Sequence, residues 1–266
     1  MTLLIENIKE LVLVDKVVVK DIYMNYHSLS NSTMAINNIS FTVKDGEFLS
    51  IVGPSGCGKS TVLNIIAGLL KPSSGEIFID GQKVDKVSSK VGYMFQRDHL
   101  FDWLTVLDNI TLGLKIQHNL TEERKRKIDQ LLKDYNLWDF KNHYPKELSG
   151  GMRQRAALIR TLALTPEVLL LDEPFSALDY QTRLNVSDDI YNILKKEGKT
   201  IIMVTHDLSE AISMSDRVIV LSNRPAEIKR ELEISFSDLE CKSPLKCREA
   251  SNFRVYFNEL WKELNS

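Results

Sequence analysis

The sequence is short of net charge, of cysteine and of long apolar runs, and each shortage narrows the field. Its 34 basic and 36 acidic residues leave a formal net charge of −2, so no global field draws it to nucleic acid. Three cysteines (57, 241 and 247) stand in no metal-binding or redox spacing, which points to a reducing compartment without disulfides. No segment approaches eighteen consecutive apolar residues, so no membrane-spanning helix is expected. Residues 1–10 carry Glu6 and Glu10 and lack a basic start, unlike a secretory leader. What remains is 266 residues, 43% hydrophobic, enough for one large domain or a core with a smaller lobe.

Against that background one stretch stands out: Gly53-Pro54-Ser55-Gly56-Cys57-Gly58-Lys59-Ser60-Thr61. An apolar run from Phe48 to Val52 precedes it and reads as a buried strand. Val62, Leu63, Ile65, Ile66 and Leu69 follow at helical spacing, so the loop lies between a strand and a helix. Glycines at 53, 56 and 58 let the backbone wrap a phosphate with its N–H groups inward, and the helix N-terminus adds partial positive charge. Lys59 is expected to reach the β- and γ-phosphates of a nucleoside triphosphate, and the Ser60 hydroxyl to bind Mg²⁺. Cys57 contributes its backbone alone.

Val168-Leu169-Leu170-Leu171-Asp172-Glu173 is a second apolar run, ending in two acids. A fully buried parallel strand reads this way, and ligands of open α/β sheets sit at its carboxyl end. Asp172 is placed to hold magnesium through water, and Glu173 to polarise an attacking water as general base.

Ser149, ninety residues after Lys59, lies in Leu148-Ser149-Gly150-Gly151, followed by Gln154 and Arg155. Ser149 is positioned to cap a helix whose N–H groups face an anion. Gln96 follows the strand-like Val91 to Phe95, Ser176-Ala177-Leu178-Asp179 follows Glu173, and His206 ends the apolar run Thr200 to Thr205. This ordered set, from about Val17 to Pro225, resembles the ATP-binding subunit of an ABC transporter. The resemblance implies an α/β fold: a P-loop NTPase core, its mostly parallel sheet flanked by helices, with an antiparallel β subdomain and an inserted helical subdomain. It implies an ATPase domain over 17–225 with the helical insert at 97–160, and a tail over 226–266.

It also implies roles. Gln96 would contact magnesium and the attacking water, and His206 would hydrogen-bond the γ-phosphate. Ser149, Gly150, Gly151 and Gln154 would meet ATP held by a second, identical subunit, and Asp179 would lie at the dimer interface. The adenine would stack on an aromatic residue upstream of the phosphate loop; Tyr26 is favoured, with Tyr23 and His27 as rivals. Partners would be two membrane-spanning permease subunits and, for an importer, an extracytoplasmic substrate-binding protein. The chain would then sit on the cytoplasmic face of the membrane. Leu104-Thr105-Val106-Leu107-Asp108-Asn109 and Leu221-Ser222-Asn223-Arg224-Pro225 are similar to the nitrate/sulfonate/taurine importers. An exporter ATPase, or an ABC ATPase outside transport, stands as the alternative.

Alternation from Val17 to Gly53, with a turn at Lys44-Asp45-Gly46, predicts antiparallel strands, and Glu76 to Gly81 predicts a further strand and hairpin turn. From Arg97 to Arg160 helical spacing takes over, with a helix starting at Thr121. Phe101 and Trp103 suit either a permease contact or packing inside the helical lobe. Phe253, Tyr256, Phe257, Leu260, Trp261 and Leu264 predict an amphipathic helix that docks on the core or contacts a partner.

Overall fold

The computed structural model describes residues 15–27, 32–237, 239 and 242–265. The leader reading of residues 1–10 and the thiol of Cys241 lie outside the described residues. Asp15–His27 (β1) and Ser32–Lys44 (β2) pair antiparallel, and the other edge of β1 pairs with Ser74–Ile79 (β4). β4 then turns into Gln82–Lys83 (β5). The turn is Asp80-Gly81, with φ of 49° and 68°, the two positive values that a tight type I′ hairpin requires. In β2 the alternation buries Ile39, Phe41 and Val43 and exposes Ser40 and Lys44.

The antiparallel pattern expected as far as Gly53 ends at Lys44. Phe48–Val52 (β3) leaves that sheet and enters another, buried at every position. A strand covered on both faces has no solvent side with which to alternate. Val168–Asp172 (β7) and Thr200–Thr205 (β8) are likewise buried throughout. With Val91–Met94 (β6), Arg217–Leu221 (β9) and Ile228–Glu233 (β10) they form a six-stranded sheet, ordered β10-β9-β3-β8-β7-β6. All its pairs are parallel except β10 with β9.

Period-two side chains divide the core across this sheet. Leu169, Leu171, Ile201 and Met203 pack against Val106–Ile116 (α2), Glu122–Asp134 (α3), Gly150–Ala163 (α4) and Tyr180–Glu197 (α5). Val168, Leu170, Ile202 and Val204 face the other way, toward Lys59–Ile66 (α1) and the antiparallel sheet. Between β6 and β7 the described elements are all helical. Thr105, Thr121 and Ser149 cap three of them, each hydroxyl accepting from an N–H three residues on. Phe101 and Trp103 do not pack inside this lobe; they are 37% and 73% exposed, their rings 5.0 Å apart.

The tail docks on the core. In Phe253–Asn265 (α8) Leu260 is fully buried against Val218 and Val220 of β9 and against Leu208 and Ile212 of Leu208–Met214 (α6). Trp261 departs from the expected stripe: next to Leu260 on the helix, it turns about 100° away and is exposed, with its ring stacked on Phe257. Leu260→Ala is expected to cost roughly 2–5 kcal/mol of stability in a denaturant titration. A loss below about 1 kcal/mol would mean that α8 is only loosely seated.

Candidate functional site

Five strand ends build one cleft of about 520 Å³, lined by the loop after β3 and by Gln96, Glu173, His206 and Arg224. The loop enters α1 through Gly58, which has φ of 129°. An added Cβ there would lie 3.2 Å from the carbonyl oxygen of Ala35, so the backbone fits only without a side chain. No side chain caps α1, which leaves its first N–H groups to the loop. Lys59 is buried and its Nζ donates to the carbonyls of Gly53 and Pro54, each at 2.8 Å. The thiol of Cys57 is also buried, and burial pushes its pKa up, which suits an inert packing role.

Asp172 closes β7 at the floor of the cleft. Its Oδ1 accepts from the Ser60 hydroxyl at 3.0 Å and its Oδ2 from Tyr93 at 3.2 Å. Burial raises its pKa, opposed by those two hydrogen bonds and by Lys59, while Glu173 adds to the rise. Burial and the facing Asp172 also raise the pKa of Tyr93, which stays a neutral donor.

Glu173 follows with a left-handed backbone, φ 45°, held by its N–H on Val204 O at 2.8 Å. Such a conformation at a non-glycine residue costs on the order of 1–3 kcal/mol and persists where surrounding bonds fix it. Its Oε2 accepts from Gln96 Nε2 at 3.0 Å and lies 3.2 Å from His206 Nδ1. Three residues far apart in sequence thus meet at one oxygen, because β6, β7 and β8 are neighbours. Tyr26 lies on β1, 44% exposed, its hydroxyl 3.2 Å from Thr61 Oγ1. Tyr23 is half-buried, and the side chain of His27 is outside those described.

The serine-glycine segment does not join this cleft. Ser149 caps α4, accepting from Met152 N, and Gly150 borders a separate recess with Arg97, Asp98 and Leu178. At Gly151 an added Cβ would stand 2.8 Å from Val186 Cγ2, so α4 and α5 approach through this glycine. Gln154 is 2% exposed, its Oε1 lacks a hydrogen-bond partner, and it lines the same recess as Gly150. Asp179 caps α5, and the N–H of Thr182 lowers its pKa.

A loop of glycine, lysine and serine over an aspartate, with a glutamate, glutamine and histidine at one oxygen, is an arrangement for phosphoryl transfer to water. The sequence profile of the family described as ABC transporter matches residues 36–176, more than half of the chain. The chain belongs to the ABC transporter family. It is an ATP-binding cassette and an ATPase. An uncharacterized ABC transporter ATP-binding protein of Bacillus subtilis (strain 168), YtlC, is 48% identical over 241 residues, 91% of this chain and 92% of the relative. The aliphatic sulfonates import ATP-binding protein SsuB of Bacillus thuringiensis subsp. konkukian (strain 97-27) is 41% identical over 219 residues, 82% and 86% of the two chains. Among solved structures, the dimeric post-hydrolysis state of the ATP-binding cassette MJ0796 bound to ADP and Pi superposes with a TM-score of 0.71. It shares 36% identity over 82% of this chain and 99% of that one.

In this ABC ATPase three side chains without an expected role are brought by the fold to the site or beside it. Tyr93 holds Asp172, and a lone hydroxyl within a short strand was its only signal. Arg224 lines the cleft; it stands in the Leu221–Pro225 stretch that resembles the importers, a resemblance that assigned it no role at the site. Arg183 donates from Nη1 to Asp207 at 3.3 Å and from Nη2 to the Leu178 carbonyl at 3.0 Å, which ties the segment before α5 to the loop of His206.

Behind that loop Glu210 is 2% exposed and accepts from Thr205 Oγ1 at 2.7 Å. Burial pushes its pKa up to about 7 against the Thr205 bond; Asp207 raises it further, while Arg183 and His206 lower it. An acid held above its ordinary value of 4.5 binds more protons folded than unfolded between the two values. Its contribution to stability therefore falls as pH rises from that ordinary value through the folded one. Glu210→Gln should flatten this stretch of the stability–pH profile by on the order of 1–3 kcal/mol. Unfolding titrations below and above the window check this, and an unchanged slope would exclude Glu210 as the group responsible.

Proposed function

We propose that this chain is the ATP-hydrolysing subunit of a membrane importer for small solutes of the nitrate/sulfonate/taurine type. The observation that carries the catalytic part is the meeting of Gln96 and His206 at one carboxylate oxygen of Glu173, beside the phosphate loop. The import direction rests on the resemblance to the sulfonate import relative.

In this reading residues 17–225 are the ATPase domain, 97–160 its helical insert and 226–266 the tail. Residues 53–61 hold the phosphates of ATP, Lys59 directing its ammonium to the β- and γ-phosphates, and Tyr26 stacks on the adenine. Glu173 takes the proton of the attacking water, Gln96 orients that water, and His206 donates to the γ-phosphate. Ser60, Asp172 and Gln96 offer hydroxyl, carboxylate and amide oxygens, the hard donors that suit Mg²⁺. Among the described residues no cluster of His, Cys, Asp or Glu forms a metal cage. That fits a Mg²⁺ ion held by a few protein oxygens together with substrate phosphates. When bound, Mg²⁺ neutralises charge on the phosphate oxygens.

The signature segment lies outside the cleft of its own chain, and this supports a head-to-tail pair of identical subunits. Ser149, Gly150 and Gly151 of each would complete the site of the other, with Asp179 near the junction. Gln154, in the same recess as Gly150, would join them in contacting that ATP. ATP would contact both halves only in the closed dimer, so binding favours closure and hydrolysis releases it. Among the described residues no helix is long and apolar enough to cross a membrane, so two permease subunits would form the channel. The exposed Phe101 and Trp103 are the proposed contact with them, on the cytoplasmic face. A substrate-binding protein outside the membrane would deliver the solute.

Glu173→Gln is expected to keep ATP binding and lower hydrolysis roughly 10²–10⁴-fold, while the closed dimer accumulates on gel filtration with ATP and magnesium. Normal turnover would remove Glu173 as the base. The same variant, recovered from native membranes with ATP and magnesium, tests the partners. Co-purifying polytopic chains with an extracytoplasmic binding protein are the result expected of an importer. Membrane chains without one favour an exporter, and partners from DNA or ribosomes overturn the transport reading.

A further inference from the structure

The nucleotide-binding roles assigned above leave out one charged group in the cleft, Arg224. Sheet order explains why it is there. Strands β9, β3, β8, β7 and β6 lie side by side and parallel, and each sends a polar group into the same cleft from its carboxyl end. His206 follows β8, Glu173 follows β7 and Gln96 follows β6; the phosphate loop follows β3, and Arg224 follows β9. The fifth strand end matches the others in place and, unlike them, has no role.

Its guanidinium is oriented. Nη2 donates to the Gly56 carbonyl at 2.8 Å, at a loop residue whose φ is 72°. The segment that carries it is anchored from two sides. Ala226 donates its N–H to Ala35 O and accepts from Asn37 N, both at 2.9 Å, which stitches it to β2. The Ser222 hydroxyl donates to Pro225 O at 3.1 Å and accepts from Glu227 N at 2.9 Å. Among the described residues no carboxylate pairs with Arg224, as none pairs with Arg97 or Arg160, whereas arginines 153, 155, 183, 217 and 230 have acidic partners. An arginine carries five N–H donors in a rigid fork, and one bond to Gly56 leaves others for an anion.

We propose that Arg224 is a phosphate-binding residue of this cleft: it steadies the phosphate loop through the Gly56 carbonyl and turns its remaining donors to the phosphate chain of the bound nucleoside triphosphate. This rests on the cleft being the ATP site. Arginine suits the task because its planar fork can serve a carbonyl and a phosphate oxygen together.

The test compares full-length wild type with Arg224→Ala, Arg224→Gln and Lys59→Ala for equilibrium binding of ATP and of adenosine, with thermal melting alongside. Both Arg224 variants are expected to weaken ATP binding roughly tenfold or more, with adenosine affinity and melting unchanged. Glutamine retains an N–H for the Gly56 carbonyl but no charge, so it decides the matter if the alanine variant folds poorly. ATP affinity equal to wild type in Arg224→Gln overturns the proposal. An equal loss for ATP and adenosine also overturns it, since that marks a disturbed loop. Lys59→Ala separates this from the reading beneath it: unchanged ATP binding there would bring down the cleft assignment itself.

Discussion

Parallel pairing of β9, β3, β8, β7 and β6 aligns five carboxyl ends along one edge, and every group in the cleft depends on that alignment. Parallel strands need crossovers that cover the sheet, so β3, β7 and β8 are buried on both faces. Away from the strand ends their side chains are apolar but for Ser50, which is hydrogen-bonded to Ser215. The polar groups of the cleft therefore come from residues at or just past the strand ends, where the chain turns and helices begin. The helix entry at Gly58, the turn at Glu173 and the loop at His206 are three instances of one geometric rule.

Asp172 and Glu173 show how sharply this edge divides environments. Asp172 is still strand, enclosed by Ser60 and Tyr93, and its carboxylate accepts from the Ser60 hydroxyl in the first turn of α1. Glu173 has turned out of the strand with a left-handed backbone, and its carboxylate reaches Gln96 and His206. Neighbours in sequence are thus given different work by one reversal of φ. The conformation is held from two directions, since Glu173 donates to Val204 O and its own carbonyl accepts from Ser176 N.

The helical stretch between β6 and β7 puts the serine-glycine segment outside the cleft of its own chain. Gly151 permits close packing of α4 on α5, and Ser149 caps α4 at an exposed end. In the proposed head-to-tail pair each chain would hold two incomplete surfaces. That incompleteness gives a physical motive for pairing, and ATP bridging two such surfaces would convert binding into movement.

Much of the fold was legible because its signals are local. Continuous apolar runs marked β3, β7 and β8, helical spacing marked α1 and α8, and Asp80-Gly81 marked a hairpin. The strand-loop-helix at 53–61 carried its chemistry in adjacent residues, so phosphate binding by an ABC ATPase could be inferred without coordinates. Strand order was not legible, and it decided the rest. It took β3 out of the antiparallel alternation, and it set Gln96, Glu173 and His206 at one oxygen. It also placed Tyr93 on Asp172 and brought Arg224 to the loop of Gly56. Likewise the 100° step along α8 put Trp261 outside while Leu260 went in, since burial depends on what faces the helix. Sequence alone determined the elements and the chemistry of contiguous motifs, because backbone propensity and periodicity act over a few residues. Tertiary structure alone decided which distant side chains share an atom, because that depends on the packing of the whole sheet.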